Sequence, residues 1–440
     1  MSAGTMVPQP ARADRVSIDD SPVNRLVIIA TVSVFGGIFV DGYILGVIGS
    51  ALGPASRELQ LSALGEGLIS SSALIGIFIG GLLFGRVADR FGRKSVFFWC
   101  LMGFTVLSLT QLFVVGTWDL VAIRVLLGVL IGVEYAVGTA LLAEFVPKNK
   151  RSVLLGSISL FWFLGFVAAL VLGHFWNPDS WRWLLASSAV PALITLLMRL
   201  QLPESPRWLQ CQGRIAEAEA IVDKHWGPQY TLPPVIESKD ASFRAFFRDT
   251  PWRRVVYPGL FWACQVAPLF TIFAFIPQVL TGIGLGNGLG TDLLMNGLQI
   301  AGGVLGIWLL WLLPRRAMVI WTFVATAGFL LVLGLWHGIP AIPAIIIFGA
   351  FVLIFTASTN IQYVYPPEMY ETRFRSTGVG MAAAISRIGA AIAVFLFPVT
   401  MAELGTNTTL VLAAIFPIIG LIASVLWAPE TKGKDIDIFA

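Results

Sequence analysis

The chain has 440 residues, 57% of them hydrophobic and only 12% charged, with a mean hydropathy of +0.82. A soluble domain carries about 25% charged residues, so this composition excludes an ordinary soluble fold. The 29 basic and 25 acidic residues leave a net charge of +4, and the surplus sits in short loops between apolar stretches, which argues against a nucleic-acid partner.

In chain order, residues 1–24 are polar and hold Pro8, Pro10 and the Asp19-Asp20 pair. No apolar cleavable segment precedes the first span, so a disordered tail is expected here rather than a signal peptide. Apolar stretches follow at 26–56, 67–85, 95–118, 120–143, 153–181 and 183–198, with Asp41, Arg124 and Glu134 deep within them. Residues 203–252 form a central loop, where Gly213–Val222 suits a short amphipathic helix and Pro233-Pro234 breaks the chain beyond it. The second half runs apolar over 255–291, 293–314, 317–367, 388–402 and 404–429. One crossing needs about 20 residues, so 317–367 is split into two near His337-Gly338. The expectation is an all-α polytopic membrane protein of twelve helices, with a tail (1–24), a six-helix bundle (25–202), a central loop (203–252), a second bundle (253–429) and a short tail (430–440).

Basic residues cluster before the first span (Arg12, Arg15, Arg25), after the second (Arg86, Arg90, Arg93, Lys94) and after the fourth (Lys148, Lys150, Arg151). They return after the eighth (Arg315-Arg316), tenth (Arg373, Arg375) and twelfth (Lys432, Lys434). The positive-inside bias therefore predicts both termini in the cytoplasm, in a multi-pass cell-membrane protein of the bacterial inner-membrane type. Cys100, Cys211 and Cys264 are scattered and the three His lack ligand spacing, so no disulfide, metal or cofactor site is expected. No nucleophile–base constellation points to an enzyme. Trp118, Trp176, Trp181, Trp183, Trp336 and Trp427 lie near span ends and read as interface anchors.

Three motifs recur about half a chain apart. Glu144 to Ser152 (EFVPKNKRS) returns as Glu368 to Ser376 (EMYETRFRS), Pro203-Glu204 as Pro429-Glu430, and Arg93-Lys94 as Arg315-Arg316. A duplicated apolar chain with charged motifs between its spans is the sequence pattern of a secondary transporter. The Gly85–Lys94 stretch (GRVADRFGRK) closes the second span: Gly85 and Gly92 permit a tight turn, Asp89 can face a helix N-terminus, and Arg90, Arg93 and Lys94 can pair with carboxylates. A purely basic orienting loop is the simpler alternative.

Taken together, Gly85–Lys94, Arg124 with Gly128 and Gly132, Glu144-x-x-Pro147-x-x-x-Arg151, Pro203–Leu209 (PESPRWL), Glu368–Arg375 and Pro429–Gly433 (PETKG) resemble the major facilitator superfamily. The likeness is to its sugar-porter branch and the bacterial metabolite:proton symporters related to it. The resemblance implies two bundles around a central cavity that opens alternately to each side. It also implies a cytoplasmic gating network of Glu144, Arg151, Glu204, Arg207, Glu368, Arg375 and Glu430. The sequence departs from the pattern where the second copy of the loop has Trp311 for Asp and Pro314 for Gly, and where Glu371 replaces Pro. Gly42-Tyr43 is followed by Ile44 rather than Asp, while Asp41 precedes it in a DGY order that resembles organic-acid symporters.

Charges inside spans are costly and mark function or a buried partner. At the repeat offset Asp41 corresponds to Gln265, Arg124 to Phe348 and Glu134 to Ser358, so proton coupling is expected in the first bundle. Asp41 with Arg124 forms either a proton site or a permanent ion pair, and Glu134 either a second proton site, a substrate ligand or a hydrogen-bonded buried acid. Gln265, Asn296, Gln299, Asn360 and Gln362, with Trp262, Phe270, Trp162 and Arg387, are candidates for substrate contact, the Asn and Gln residues equally for interhelical bonding. The expected partners are a small-molecule substrate, protons and the lipid bilayer, around a monomer. The loop signatures favour a sugar or polyol; Asp41 and Arg387 favour an organic acid. An exporter of the same fold and a non-transporting membrane sensor are the alternatives.

Overall fold

The structure, a computed structural model, describes residues 15–232, 243–274, 276–282, 289–370 and 375–432. Among them, eleven helices are long and apolar enough to cross a bilayer. In the first half these are Arg25–Leu59, Ala63–Gly81, Arg93–Phe113, Thr117–Thr139, Val153–Phe175 and Pro178–Arg199. The second half supplies Trp252–Ile272, Leu294–Leu312, Arg315–Leu335, Ala341–Tyr363 and Gly378–Trp427. The last has 50 residues, about 75 Å of helix at 1.5 Å per residue, against a hydrocarbon core of about 30 Å. Gly405 interrupts it with φ 76° and ψ 167°, so it is two crossings and the chain has twelve, numbered here first to twelfth.

The first span starts where Asn24 accepts the Val27 N–H at 2.9 Å, satisfying one orphan donor of the first turn. It then packs on the fifth span, and the second packs on the fourth. The seventh and eleventh, and the eighth and tenth, repeat these pairings in the second half. Small residues set the approach: a Cβ on Gly42 would overlap the Trp162 carbonyl oxygen, and one on Gly128 that of Ala73. Two pseudo-symmetric six-helix bundles result. They meet where the second span crosses the eleventh, with Gly67 against Phe395, and where the eighth crosses the fifth, with Gly303 against Leu160.

The outside of the helical body is apolar, with Trp99, Trp311, Trp321 and Ile342 all largely exposed, as a lipid-facing surface requires. Trp118, Trp183 and Trp336 are exposed near helix ends. Trp181 departs from the anchor expectation: it is buried, its Nε1 donates to Glu58 Oε2 at 2.6 Å, and the Arg182 guanidinium covers its ring. The ring is packed inside while its N–H reaches out to Glu58, an exposed carboxylate at the end of the first span.

The amino-terminal tail also differs from expectation over residues 15–24, residues 1–14 lying outside the described residues. Val16 and Ser17 pair in parallel with Tyr230 and Thr231 of the central loop. Ile18 is buried, Arg207 binds Asp19 at 2.5 Å, and Asn24 Nδ2 donates to the His225 carbonyl at 3.0 Å. One apolar residue and one carboxylate in a polar segment are enough to dock it. The central loop contains helices Pro206–Cys211 and Ile215–His225, the second being the expected amphipathic one; Pro233-Pro234 lies outside the described residues.

Candidate functional site

Where the two bundles face each other they line a narrow, partly open pocket. The first half contributes Tyr135 from the fourth span and Ser159, Trp162 and Phe163 from the fifth. The second half contributes Val266, Leu269 and Phe270 from the seventh, Thr359, Gln362 and Tyr363 from the end of the tenth, and Arg387 from the eleventh. The tenth span tightens into a 3₁₀ turn over Asn360–Tyr363, ahead of Pro366, and this brings Gln362 and Tyr363 to the cavity. Trp162 stacks on Phe166 and meets Phe270 edge-on, with centroids 5.3 and 5.9 Å apart. Arg387 is 4% exposed, and its guanidinium lies 5.4 Å from the Tyr135 ring and 5.6 Å from that of Phe270.

Of the residues expected at the substrate, Trp162, Gln362 and Arg387 line this cavity. The others stand behind it. Asn360 is bonded on both sides, donating to the Gly303 carbonyl at 2.6 Å and accepting from Ser159 Oγ at 2.5 Å, a bond that crosses between the bundles. Gln265 donates to the Ser358 carbonyl at 3.3 Å, and Gln299 Nε2 donates to Asn296 Oδ1 at 3.4 Å. Trp262 packs edge-on against Tyr363 at 6.1 Å. Gln265 and Asn360 thus bond between helices, the Gln299–Asn296 bond lies within the eighth span, and Trp262 is engaged by packing.

The charged side chains in the first bundle are arranged differently from the expected Asp41–Arg124 pair, which does not form. Arg124 donates through Nε to the Ile69 carbonyl on the second span at 3.2 Å, and its two Nη atoms have no partner among the described residues. The reason is depth: Arg124 lies about 10 Å from the start of its helix at Thr117, whereas Asp41 lies about 27 Å from Leu59, which ends on the same side. Glu134 has the ion pair instead. Arg199 Nη1 donates to Glu134 Oε2 at 3.0 Å and Nη2 to Oε1, while the same guanidinium reaches the Phe97 carbonyl at 2.9 Å and that of Ser33 at 3.2 Å. This forked pair ties the first, third, fourth and sixth spans. Gly37 leaves room for it, since a Cβ there would overlap both partners. Asp41 is fully buried, and among the described residues neither carboxylate oxygen has a hydrogen-bond partner. Glu134 and Arg199 are the charged groups that act on it through space.

At the end of the molecule that carries the loop motifs, the two halves build the same cluster. Glu204 accepts the backbone N–H groups of Arg93 and Lys94, both at 3.1 Å, while Glu144 binds the Arg93 guanidinium and accepts from Ser205 Oγ at 2.5 Å. In the second half Glu430 accepts the N–H groups of Arg315 and Arg316 at 3.0 and 3.1 Å, and Glu368 binds Arg315 at 3.3 Å and Thr431 Oγ1 at 2.6 Å. Burial opposes ionisation of Glu430, but the N–H donors of Lys432, Arg315 and Arg316 outweigh it and hold the carboxyl below its ordinary value. Arg207 pairs directly with Asp19 and acts on Glu144 only through space. The side chains of Gly85–Phe91, Arg151 and Arg375, and with them Asp89 and Arg90, lie outside the described residues.

Residues 29–439 match the sequence model of the family described as "Sugar (and other) transporter". The chain belongs to that family. It is 38% identical over 421 residues to the inner membrane metabolite transport protein YgcS of Escherichia coli (strain K12), covering 95% of this chain and 94% of that one. It is 30% identical over 455 residues to the major myo-inositol transporter IolT of Bacillus subtilis (strain 168), covering 93% and 92%. Its fold is similar to that of the proton:xylose symporter XylE of E. coli, with a TM-score of 0.77, 20% identity, and 94% and 98% of the two chains covered. This sugar transporter family member is a multi-pass membrane transport protein of the major facilitator superfamily and not an enzyme.

Several site residues of this transporter carry little signal in the sequence. Arg199 ends the sixth apolar stretch and so passes for a boundary residue, although at the repeat offset it stands opposite Ala423, the same asymmetry that singles out Asp41. Tyr135 and Tyr363 each follow a residue that stands out by type, Glu134 and Gln362. Ser159 and Thr359 carry no signal that separates them from other helix hydroxyls.

Proposed function

We propose that this chain is a proton-coupled symporter that moves a small polar metabolite across the bacterial inner membrane by alternating access, as a monomer with both termini in the cytoplasm. The observation that carries the reading is a cavity shared by both bundles and lined by polar groups, together with Asp41, a buried carboxyl without a hydrogen-bond partner among the described residues. An ionised carboxylate in such a place costs several kcal/mol, whereas a proton neutralises it, so Asp41 is a place to load and release one proton per cycle. Glu134, forked to Arg199, holds the helices around it. Arg124 is a positioning residue between the second and fourth spans. Trp162, Gln362 and Arg387 contact the substrate, and Gln265, Trp262, Asn296, Gln299 and Asn360 support the cavity from behind.

The paired clusters at the loop face are the gate. Gly92, Arg93, Glu144, Glu204, Glu368 and Glu430 hold each bundle rigid, and Gly85, Asp89, Arg90, Arg151, Arg207 and Arg375 take part in its opening and closing. The sequence likeness to a myo-inositol transporter and the similarity of fold to a proton:xylose symporter support a small polar cargo and coupling to protons. Uptake into proteoliposomes against a metabolite panel, with and without an imposed inward proton gradient, tests the reading. Accumulation above equilibrium only with the gradient is the expected result; equal uptake with and without it for every substrate moved would sink proton coupling.

A further inference from the structure

Among the described residues, three arginines are buried in the membrane part of this protein, and they are not used alike. Arg199 spends its donors on Glu134 and two carbonyls. Arg124 is held by the Ile69 carbonyl and does not line the cavity. Arg387 does line it, has no carboxylate within ion-pair distance among the described residues, and leaves Nε without a partner. The flanking rings of Tyr135 and Phe270 offer a cation–π attraction of about 0.5–2 kcal/mol, which falls short of the several kcal/mol that desolvating a guanidinium costs. Beside it, Gln362 Nε2 is also a donor without a partner among the described residues. The chamber therefore offers a positive charge and free N–H groups between aromatic walls.

We propose that the pocket binds a small monocarboxylate, its carboxylate held by Arg387 and its body by Trp162 and Phe270. The proposal rests on the transporter reading above and names its cargo. A carboxylate brings two acceptor oxygens that fit the guanidinium fork and supplies the missing counter-charge; a neutral polyol would leave that charge uncompensated. Aromatic walls accept the face of an aromatic ring or the C–H face of a hydroxylated one.

Binding of two matched pairs to the purified full-length protein, measured by calorimetry, tests this: benzoate against benzamide, and glucuronate against glucose. At least one carboxylate should bind about tenfold or more tighter than its neutral counterpart, the ratio expected of a hydrogen-bonded charge. Arg387→Gln should erase that preference, and Arg387→Lys, which keeps the charge and loses the fork, should retain part of it. The wild-type comparison stands even if the Gln variant does not fold. Absence of preference in both pairs, or a preference that survives Arg387→Gln, overturns the assignment. Proteoliposome uptake of the same compounds keeps the two readings apart. Selective carboxylate binding without proton-driven accumulation sinks symport and leaves the site. Proton-driven accumulation of glucose with no carboxylate preference sinks the site and leaves symport.

Discussion

The two halves of this transporter agree at one end and part company in the middle. At the loop face Glu204 and Glu430 cap corresponding helices, and Glu144 and Glu368 bind the corresponding arginines. Even the departures keep the job: Gly92 opens its helix with φ 92°, Pro314 opens the other with φ −58°, and both helices receive the same carboxylate cap. At mid-membrane the first half holds Asp41 and the Glu134–Arg199 pair where the second has Gln265, Ser358 and Ala423. The cavity shows the reverse asymmetry, since Arg387 stands at the repeat position of Phe163 and both line it. Duplication preserved the parts that must be rigid in both bundles. Charges that are costly in lipid are kept in one half only, which is the asymmetry that the proposed proton site in the first half and the proposed anion site in the second would explain.

The largest effect on stability should come from the pair without a counterpart. Glu134→Gln leaves Arg199 buried without its counter-charge and should lower stability by about 3–5 kcal/mol, read as loss of folded protein in detergent melting. Ser358→Ala, at the matching place in the other half, removes only a hydroxyl bonded to the Phe355 carbonyl and should change it by about 1 kcal/mol or less. Equal losses at the two sites would break the comparison.

Asp41→Asn separates coupling from movement. Accumulation driven by a pH gradient should vanish while exchange at equal concentrations continues, and Gln265→Leu should leave the gradient dependence intact. Should Asp41→Asn still concentrate substrate on a proton gradient, the coupling site lies elsewhere, with Glu134 the next acid to examine.

A smaller, symmetrical effect is expected at the loop face. Glu204→Ala and Glu430→Ala each remove a helix cap worth about 0.5–2 kcal/mol, and the two losses should agree within error in chemical or thermal unfolding. Transport turnover should fall in both while equilibrium binding persists. One more difference sharpens the exception: Gly92→Ala forces an L-residue to φ 92° and ψ 145° with Glu204 close by and should cost about 1–3 kcal/mol, whereas Pro314→Ala, at an ordinary φ, should cost less.

Much of this was legible from spacing alone. Apolar stretch lengths located the crossings, and the recurrence of Glu144 as Glu368 and of Glu204 as Glu430 marked both clusters. The mid-membrane site was legible only in part. Asp41, Glu134, Trp162, Gln362 and Arg387 stood out by type, but the partner of Glu134 did not, because Arg199 terminates an apolar run as a boundary residue would. Nor could type alone separate Gln362, at the cavity, from Asn360 two residues earlier, whose donors and acceptors are consumed between helices.

By itself the sequence determined that the chain spans a membrane, how many times, and that its halves are copies, since hydrophobic length and repetition are one-dimensional properties. The tertiary structure alone decided who pairs with whom: Glu134 with Arg199, Asp19 with Arg207, and Arg387 with no carboxylate among the described residues. Those outcomes depend on the depth and facing of helices far apart in the chain, and spacing along one helix does not encode them.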